Sequence, residues 1–326
     1  MKRLQTKNQR RLMQALASLE DIENKFHHAN HMHKYMEKEY KKEHHLRKHF
    51  ETQFAPGHFY SPYPDLKEMK RREKQIFDRS KRAIPGIDLR ETEQLTLLEK
   101  LARHYKKLPY QHKKKSAGYS YKLDHHAYAH TDAIVLFCML LELQPKKIVE
   151  IGSGYSSALM TDVKKHFLQK LEITCVEPYP QLLHDLTKDA PKESFTLIDK
   201  PLWETPDKVF TSLNDGDILF IDSTHVSKAG SDVNQIFFEI LPKLKPGVII
   251  HIHDIFYPFE YPYEWIKETR AWTEDYIVRA FLHNNDAYDI LLFNNFLNIH
   301  HSKELEKYMP LASKNSGGSL WLRKTK

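Results

Sequence analysis

Residues 147–157, KIVEIGSGYSS, constrain this chain more than any other stretch. Ile148, Val149 and Ile151 are β-branched and interrupted only by Glu150, as expected of a strand covered on both faces. Gly152 and Gly154 follow, and glycines there let the backbone turn tightly and come close to a ligand. A helix starting after such a turn aims free N–H groups and a partial positive charge back at that ligand. The stretch predicts strand, glycine turn and helix. The residues that follow at set distances decide what it serves.

The second strand is predicted at Ile173–Val176 and ends in Glu177, 25 residues beyond Gly152. That is the interval a βαβ unit requires, and a carboxylate there can accept from both ribose hydroxyls of a nucleoside cofactor. The intervening helix is placed at Ala158–Leu171, and another at Gln181–Lys188. A third strand, Phe195–Ile198, ends in Asp199. A fourth, DILFIDSTH at 217–225, delivers Asp222 and His225 to its carboxyl end, where open α/β sheets bind ligands. Helix Ser231–Leu244 leads to the fifth strand, VIIHIHDI at 248–255. His251 in mid-strand reads as a core histidine, whereas His253 and Asp254 fall at the strand end beside Asp222. Aromatics and prolines at 256–266 suggest a lid or substrate wall, and DAYDILLFNNF with GGSLWLRK reads as a closing strand pair, its last strand reversed.

Upstream the chain is helical. Residues 1–54 read as polar helices with a narrow apolar stripe, Leu12, Leu16, Leu19 and Phe26, which would pack on the rest of the chain or on a second copy. Seven histidines lie there, and His27 and His31 share a face. A solvated face is the better reading than a metal site, because nothing completes a ligand set. APGHFYSPYPDL is a connector, Lys67–Ala83 and Glu91–Leu108 are charged and amphipathic helices, and 113–115 is a basic loop. Tyr119, Tyr121 and Asp132 stand out in the aromatic lead-in to an apolar helix, Asp132–Leu143. The expected organisation is an extension at 1–54, a helical lead-in at 55–118 and a principal domain at 119–326.

Composition narrows the function. No apolar run reaches the roughly 20 residues of a membrane span, and no signal peptide is evident. Two cysteines, Cys138 and Cys175, lie in apolar patterns, which points to a reduced, cytoplasmic protein. The formal charge of +7 is spread through mixed-charge helices with no nucleic-acid motif, so nucleic acid is not the expected partner.

Taken together, EIGSGYSS, Glu177, IDSTH, HIHDI and the final strand pair resemble a class I S-adenosylmethionine-dependent methyltransferase. FYSPYPD, GIDL and SDVNQIFFEILPKLKPGVIIHIHDIFYPFEYP bring the resemblance closer to a largely uncharacterised bacterial group of the methyltransferase-24 type, over residues 55–326. The resemblance implies an α/β, Rossmann-like sheet of seven strands, mostly parallel with the last antiparallel. It implies that Glu150, Gly152, Ser153, Gly154 and Tyr155 wrap the methionine end of S-adenosylmethionine, that Glu177 holds the ribose, and that Asp199 lies near the adenine. An NAD(P)-dependent Rossmann oxidoreductase is the nearest rival, but Ser157 stands where its third glycine would fall. A non-catalytic cofactor-binding or assembly protein is the other alternative.

Methyl transfer to a hydroxyl needs a base. His225 and His253 are the candidates beside Asp222, with His225 preferred because it leaves the sheet on a loop. Asp222 and Asp254 form a candidate site for Mg²⁺ or another divalent metal, as in metal-dependent O-methyltransferases, although Ile255 stands where such sites carry a further ligand. The expected acceptor is a glycan or small hydroxylated metabolite, and the expected oligomer a homo-oligomer through the amino-terminal helices.

Overall fold

The computed structural model describes residues 54–111, 118–125 and 127–326. The expectations for residues 1–53 and for the basic loop at 113–115 lie outside them. Residues 54–65 belong to a separate unit from Leu66–Lys326. Within 54–65, Phe54 stacks on His58 and meets Tyr60 edge-on, and Gly57 N–H donates to Tyr63 O across a turn.

In the larger unit a seven-stranded sheet has the order β3-β2-β1-β4-β5-β7-β6. The strands are β1 Lys147–Ile151, β2 Glu172–Val176, β3 Thr196–Ile198, β4 Ile218–Ile221, β5 Ile249–Ile252, β6 Tyr288–Phe293 and β7 Leu320–Lys324. The first five run parallel; β7 runs antiparallel to both β5 and β6. The chain between β6 and β7 carries short helices, and β7 then returns antiparallel and inserts between β5 and β6.

Among the described residues four helices have nine or more residues: α1 Glu91–Tyr105, α2 His130–Leu143, α3 Tyr155–His166 and α4 Glu274–Leu282. Helix α2 is apolar on every side and buried from Thr131 to Leu141. β1, β4 and β5 are buried almost throughout, as their mainly apolar sequences require in a sheet covered on both faces, and Glu150 and His251 are buried with them. Cys138 and Cys175 are free and buried. Among the described residues no helix is long and apolar enough to cross a membrane.

Several expected elements are corrected. The helix expected over Lys67–Ala83 is two short pieces, Leu66–Arg71 and Glu73–Ile76, and ends where Asp78 turns back to accept from Ser80 N–H at 3.0 Å. The helix expected at Ala158–Leu171 starts three residues earlier, at Tyr155, because Ser157 Oγ accepts from Gly154 N–H at 2.9 Å and caps it there. The helix expected at Ser231–Leu244 is one α turn, Asp232–Gln235, then a π-helical turn, Ile236–Ile240, and a 3₁₀ turn. The aromatic stretch expected as a lid is largely interior: Phe256, Tyr257, Phe259 and Tyr261 are all buried. His251 is a core histidine as expected, wholly buried, with Nε2 3.0 Å from Ser319 Oγ and its ring stacked on Phe220.

Candidate active site

The parallel ladder continues for one rung beyond the strand ends. Gly152 N–H donates to Val176 O, Glu177 N–H to Ile198 O, Asp222 N–H to Ile151 O and His253 N–H to Ile221 O, all at 2.9–3.0 Å. In register, Ile151 lies beside both Val176 and Ile221, and Ile221 beside Ile252. Gly152, Glu177, Asp222 and His253 therefore stand level, along the carboxyl edge of β1, β2, β4 and β5. The sequence named all four; the sheet brings them into one row.

On the β1–β2 side a cavity of about 450 Å³ is lined by Gly152, Glu177, Tyr179, Trp203, Asp222 and Lys228, among others. Glu177 accepts from Ser153 N–H at 3.0 Å and Tyr179 N–H at 2.8 Å, which ties the glycine turn to the end of β2. Gly152 has a φ of +77°, and a Cβ there would lie 1.9 Å from Asp222 O, so only glycine fits. Gly154 is different. Its φ of −179° is ordinary extended backbone, and an added Cβ would meet only Leu182 at 3.3 Å.

Glu150 is wholly buried and is not among the residues that line this cavity. It accepts from Ser156 Oγ at 2.6 Å, from Ser157 Oγ and from Cys175 Sγ, so it braces the start of α3. Burial pushes its carboxyl up to about 7 despite those three donors. Tyr155 stacks on His125 at 4.0 Å. Asp199 is exposed and is not part of the cavity lining. Tyr119 stacks on His166, Tyr121 donates to Tyr128 O, and Asp132 accepts from Gly318 N–H and Asn294 Nδ2. The sequence reading missed Tyr179 and Trp203, both about two-thirds exposed at the cavity. The available signal was an aromatic two residues after the strand-end carboxylate.

On the β4–β5 side the groups crowd together. His225 is buried, with Nδ1 2.8 Å from Glu274 Oε2, while Nε2 faces Asp222 Oδ1 at 3.5 Å and Asp254 Oδ2 at 3.8 Å. His253 Nε2 lies 3.4 Å from Asp254 Oδ1. His225 and Asp254 both have positive φ, +60° and +55°. Non-glycine residues in that region are strained, and neighbouring elements hold both. His225 O accepts Thr273 and Glu274 N–H from the start of α4, and the residue after Asp254, Ile255, donates its N–H to Gly318 O at 2.7 Å. Trp272 covers the His225 ring at 4.3 Å.

Burial alone would lower the His225 pKa, but Asp222 and Glu274 outweigh it and hold the imidazole well above 6.5. Burial raises the Asp222 carboxyl, yet the charges of His253 and His225 leave it below its ordinary value. Burial is the main reason the Asp254 carboxyl is raised. Among the described residues no group of three or more His, Cys, Asp or Glu side chains is arranged to hold a metal ion. Asp222 and Asp254 do converge, but the His225 ring nitrogen lies opposite both, so the arrangement is that of a charge cluster around an imidazole.

Residues 149–255 match the family model of a methyltransferase domain. A protein of Archaeoglobus fulgidus is 41% identical over 133 residues, which cover 39% of this chain and 59% of the relative. Among solved structures, the S-adenosylhomocysteine-bound methyltransferase PaMTH1 of Podospora anserina aligns at 16% identity and a TM-score of 0.40, over 75% of this chain and 99% of its own. Coclaurine N-methyltransferase aligns at 12% and 0.35, over 80% and 94%. A 16S rRNA (adenine(1408)-N(1))-methyltransferase of Catenulisporales acidiphilia aligns at 12% and 0.30, over 55% and 84%. The expected resemblance holds: residues 149–255 match the methyltransferase-24 domain, and the seven-stranded sheet that contains them, with its antiparallel β7, has the Rossmann-like fold of a class I methyltransferase.

Proposed function

We propose that this protein transfers a methyl group from S-adenosylmethionine to a hydroxyl of a glycan or small metabolite, with His225 as the base. The observation that carries the reading is the level row of Gly152, Glu177, Asp222 and His253, which sets a nucleoside-sized cavity beside a buried imidazole. The residues fit the donor. Glu177, on the cavity wall, would accept from ribose hydroxyls, the side chains of Tyr179 and Trp203 would offer flat faces to an adenine, and Gly152 lets the turn pack directly against the backbone of Asp222.

The bound sulfonium would supply an activated methyl group: its C–S bond breaks as the new C–O bond forms, and sulfur keeps the electron pair. The chain's part is to align the acceptor, exclude water and accept the hydroxyl proton. His225 Nε2 would take that proton, and Asp222 and Asp254 would stabilise the resulting imidazolium. No step is assigned to a metal. Ser157 speaks against the dinucleotide alternative, because its hydroxyl is engaged with Glu150 and Gly154, where a dinucleotide turn calls for a glycine.

Calorimetric titration with S-adenosylmethionine, with NADH as control and Glu177→Ala beside the wild type, tests the reading. Micromolar-range binding of the methyl donor, weakened in the variant and absent for NADH, is expected. Binding of NADH alone would overturn it.

A further inference from the structure

We propose that Glu274 is the positioning residue of this centre: its carboxylate grips His225 through Nδ1 and turns Nε2 toward Asp222, Asp254 and the acceptor. The inference deepens the methyl-transfer reading and rests on it for the identity of the acceptor side. Glu274 lies 49 residues beyond His225, on the first turn of α4, and is wholly buried. Its Oε2 is 2.8 Å from His225 Nδ1. The Ser223 hydroxyl donates to the same carboxylate, at 3.0 and 2.9 Å to its two oxygens, and accepts the His225 N–H at 3.0 Å. A carboxylate that already receives a hydroxyl proton accepts again from Nδ1–H, and the bond at one ring nitrogen decides what the other presents.

The backbone repeats the grip. His225 O accepts the N–H groups of Thr273 at 2.9 Å and Glu274 at 3.1 Å, so the start of α4 holds the same residue whose ring Glu274 holds. Trp272, just before them, covers the ring face. Three consecutive residues thus fix the dihedral, the edge and the face of one imidazole. A residue that served only to begin a helix would have no reason to place its buried carboxylate on a distant ring nitrogen. The arrangement follows the logic of an orienting acid, a base and a reacting hydroxyl.

The test is nitrogen-15 and proton NMR of full-length protein labelled in histidine, beside calorimetric titration with S-adenosylmethionine. In the wild type, His225 is expected to carry a proton on Nδ1 with a strongly deshielded, slowly exchanging resonance. In Glu274→Gln that resonance moves upfield or vanishes while affinity for S-adenosylmethionine stays within about twofold. Ser223→Ala, which keeps the carboxylate, retains it. A wild-type His225 protonated on Nε2 alone, or a resonance unchanged in Glu274→Gln, overturns the proposal. The wild-type spectrum decides even if the variant does not fold. Absence of methyl-donor binding with the resonance still dependent on Glu274 would overturn the methyl-transfer reading and leave Glu274's hold on His225 supported.

Discussion

The two halves of the site are built differently. The half at β1 and β2 is local: its glycine turn, helix start and carboxylate come from residues 150–179, tied by backbone bonds to neighbouring strands. The half at β4 and β5 is assembled from distant segments, with His225 held by Glu274, Thr273 and Trp272, and Asp254 beside Gly318. The first is open, with two aromatic side chains about two-thirds exposed; the second is buried and crowded with charge. A nucleoside grip can be modular because it recognises a fixed ligand through backbone and one carboxylate. A proton-transfer centre needs the field of several groups at once, and only tertiary packing brings those together.

The comparison can be broken most sharply at His225. His225→Ala is expected to lower methyl transfer by about 10²- to 10⁴-fold while calorimetry shows methyl-donor binding intact. Equal loss of both would mean that the halves are not separable.

Next come the two glycines. Gly152→Ala forces a Cβ to 1.9 Å from Asp222 O and is expected to cost several kcal/mol, on the order of 3, in denaturant unfolding. Gly154→Ala meets a movable leucine and is expected to stay within about 1 kcal/mol. Equal stabilities for the pair would refute the reading of the turn. Glu177→Ala should then weaken methyl-donor binding by at least about 10- to 100-fold, the worth of a single charge-assisted bond of about 1.5–3 kcal/mol. A change smaller than twofold would place the ribose elsewhere.

Acidity separates the halves more gently. The raised His225 imidazole keeps its proton to higher pH than an ordinary histidine and becomes a base only as pH rises through its elevated value. kcat/KM should therefore climb above pH 7. A profile already flat from pH 6.5 upward would remove His225 as the base. Glu150 acts on stability instead. It ionises near 4.5 when unfolded and about 7 when folded, so between those values the folded state holds more protons and loses stability as pH rises, by about 3 kcal/mol in total. Glu150→Gln should flatten that slope in melting curves, and an unaltered slope would assign it to other groups.

Legibility in the sequence divides along the same line. The strands were readable because a buried parallel strand is a near-continuous apolar run, and Glu177 and Asp222 because strand ends in such sheets are where ligands bind. The start of α3 was misplaced by three residues, since a serine hydroxyl capping Gly154 N–H leaves no periodic trace. Glu274 was not found at all: within its own helix it is simply an acidic first-turn residue, common at helix starts. The aromatic run at 256–266 misled because its composition suits both a lid and an interior, and burial decides only after folding.

The rung that continues past the strand ends has a consequence for how the protein can be watched. The amide hydrogens of Gly152, Glu177, Asp222 and His253 sit at the mouth of the site, yet each is locked to the neighbouring strand. They should exchange with solvent deuterium only when that strand pair opens, as slowly as amides of the interior. Four amides in a line across the sheet would then report, without any ligand or acceptor, whether the floor of the site opens strand by strand or as one piece.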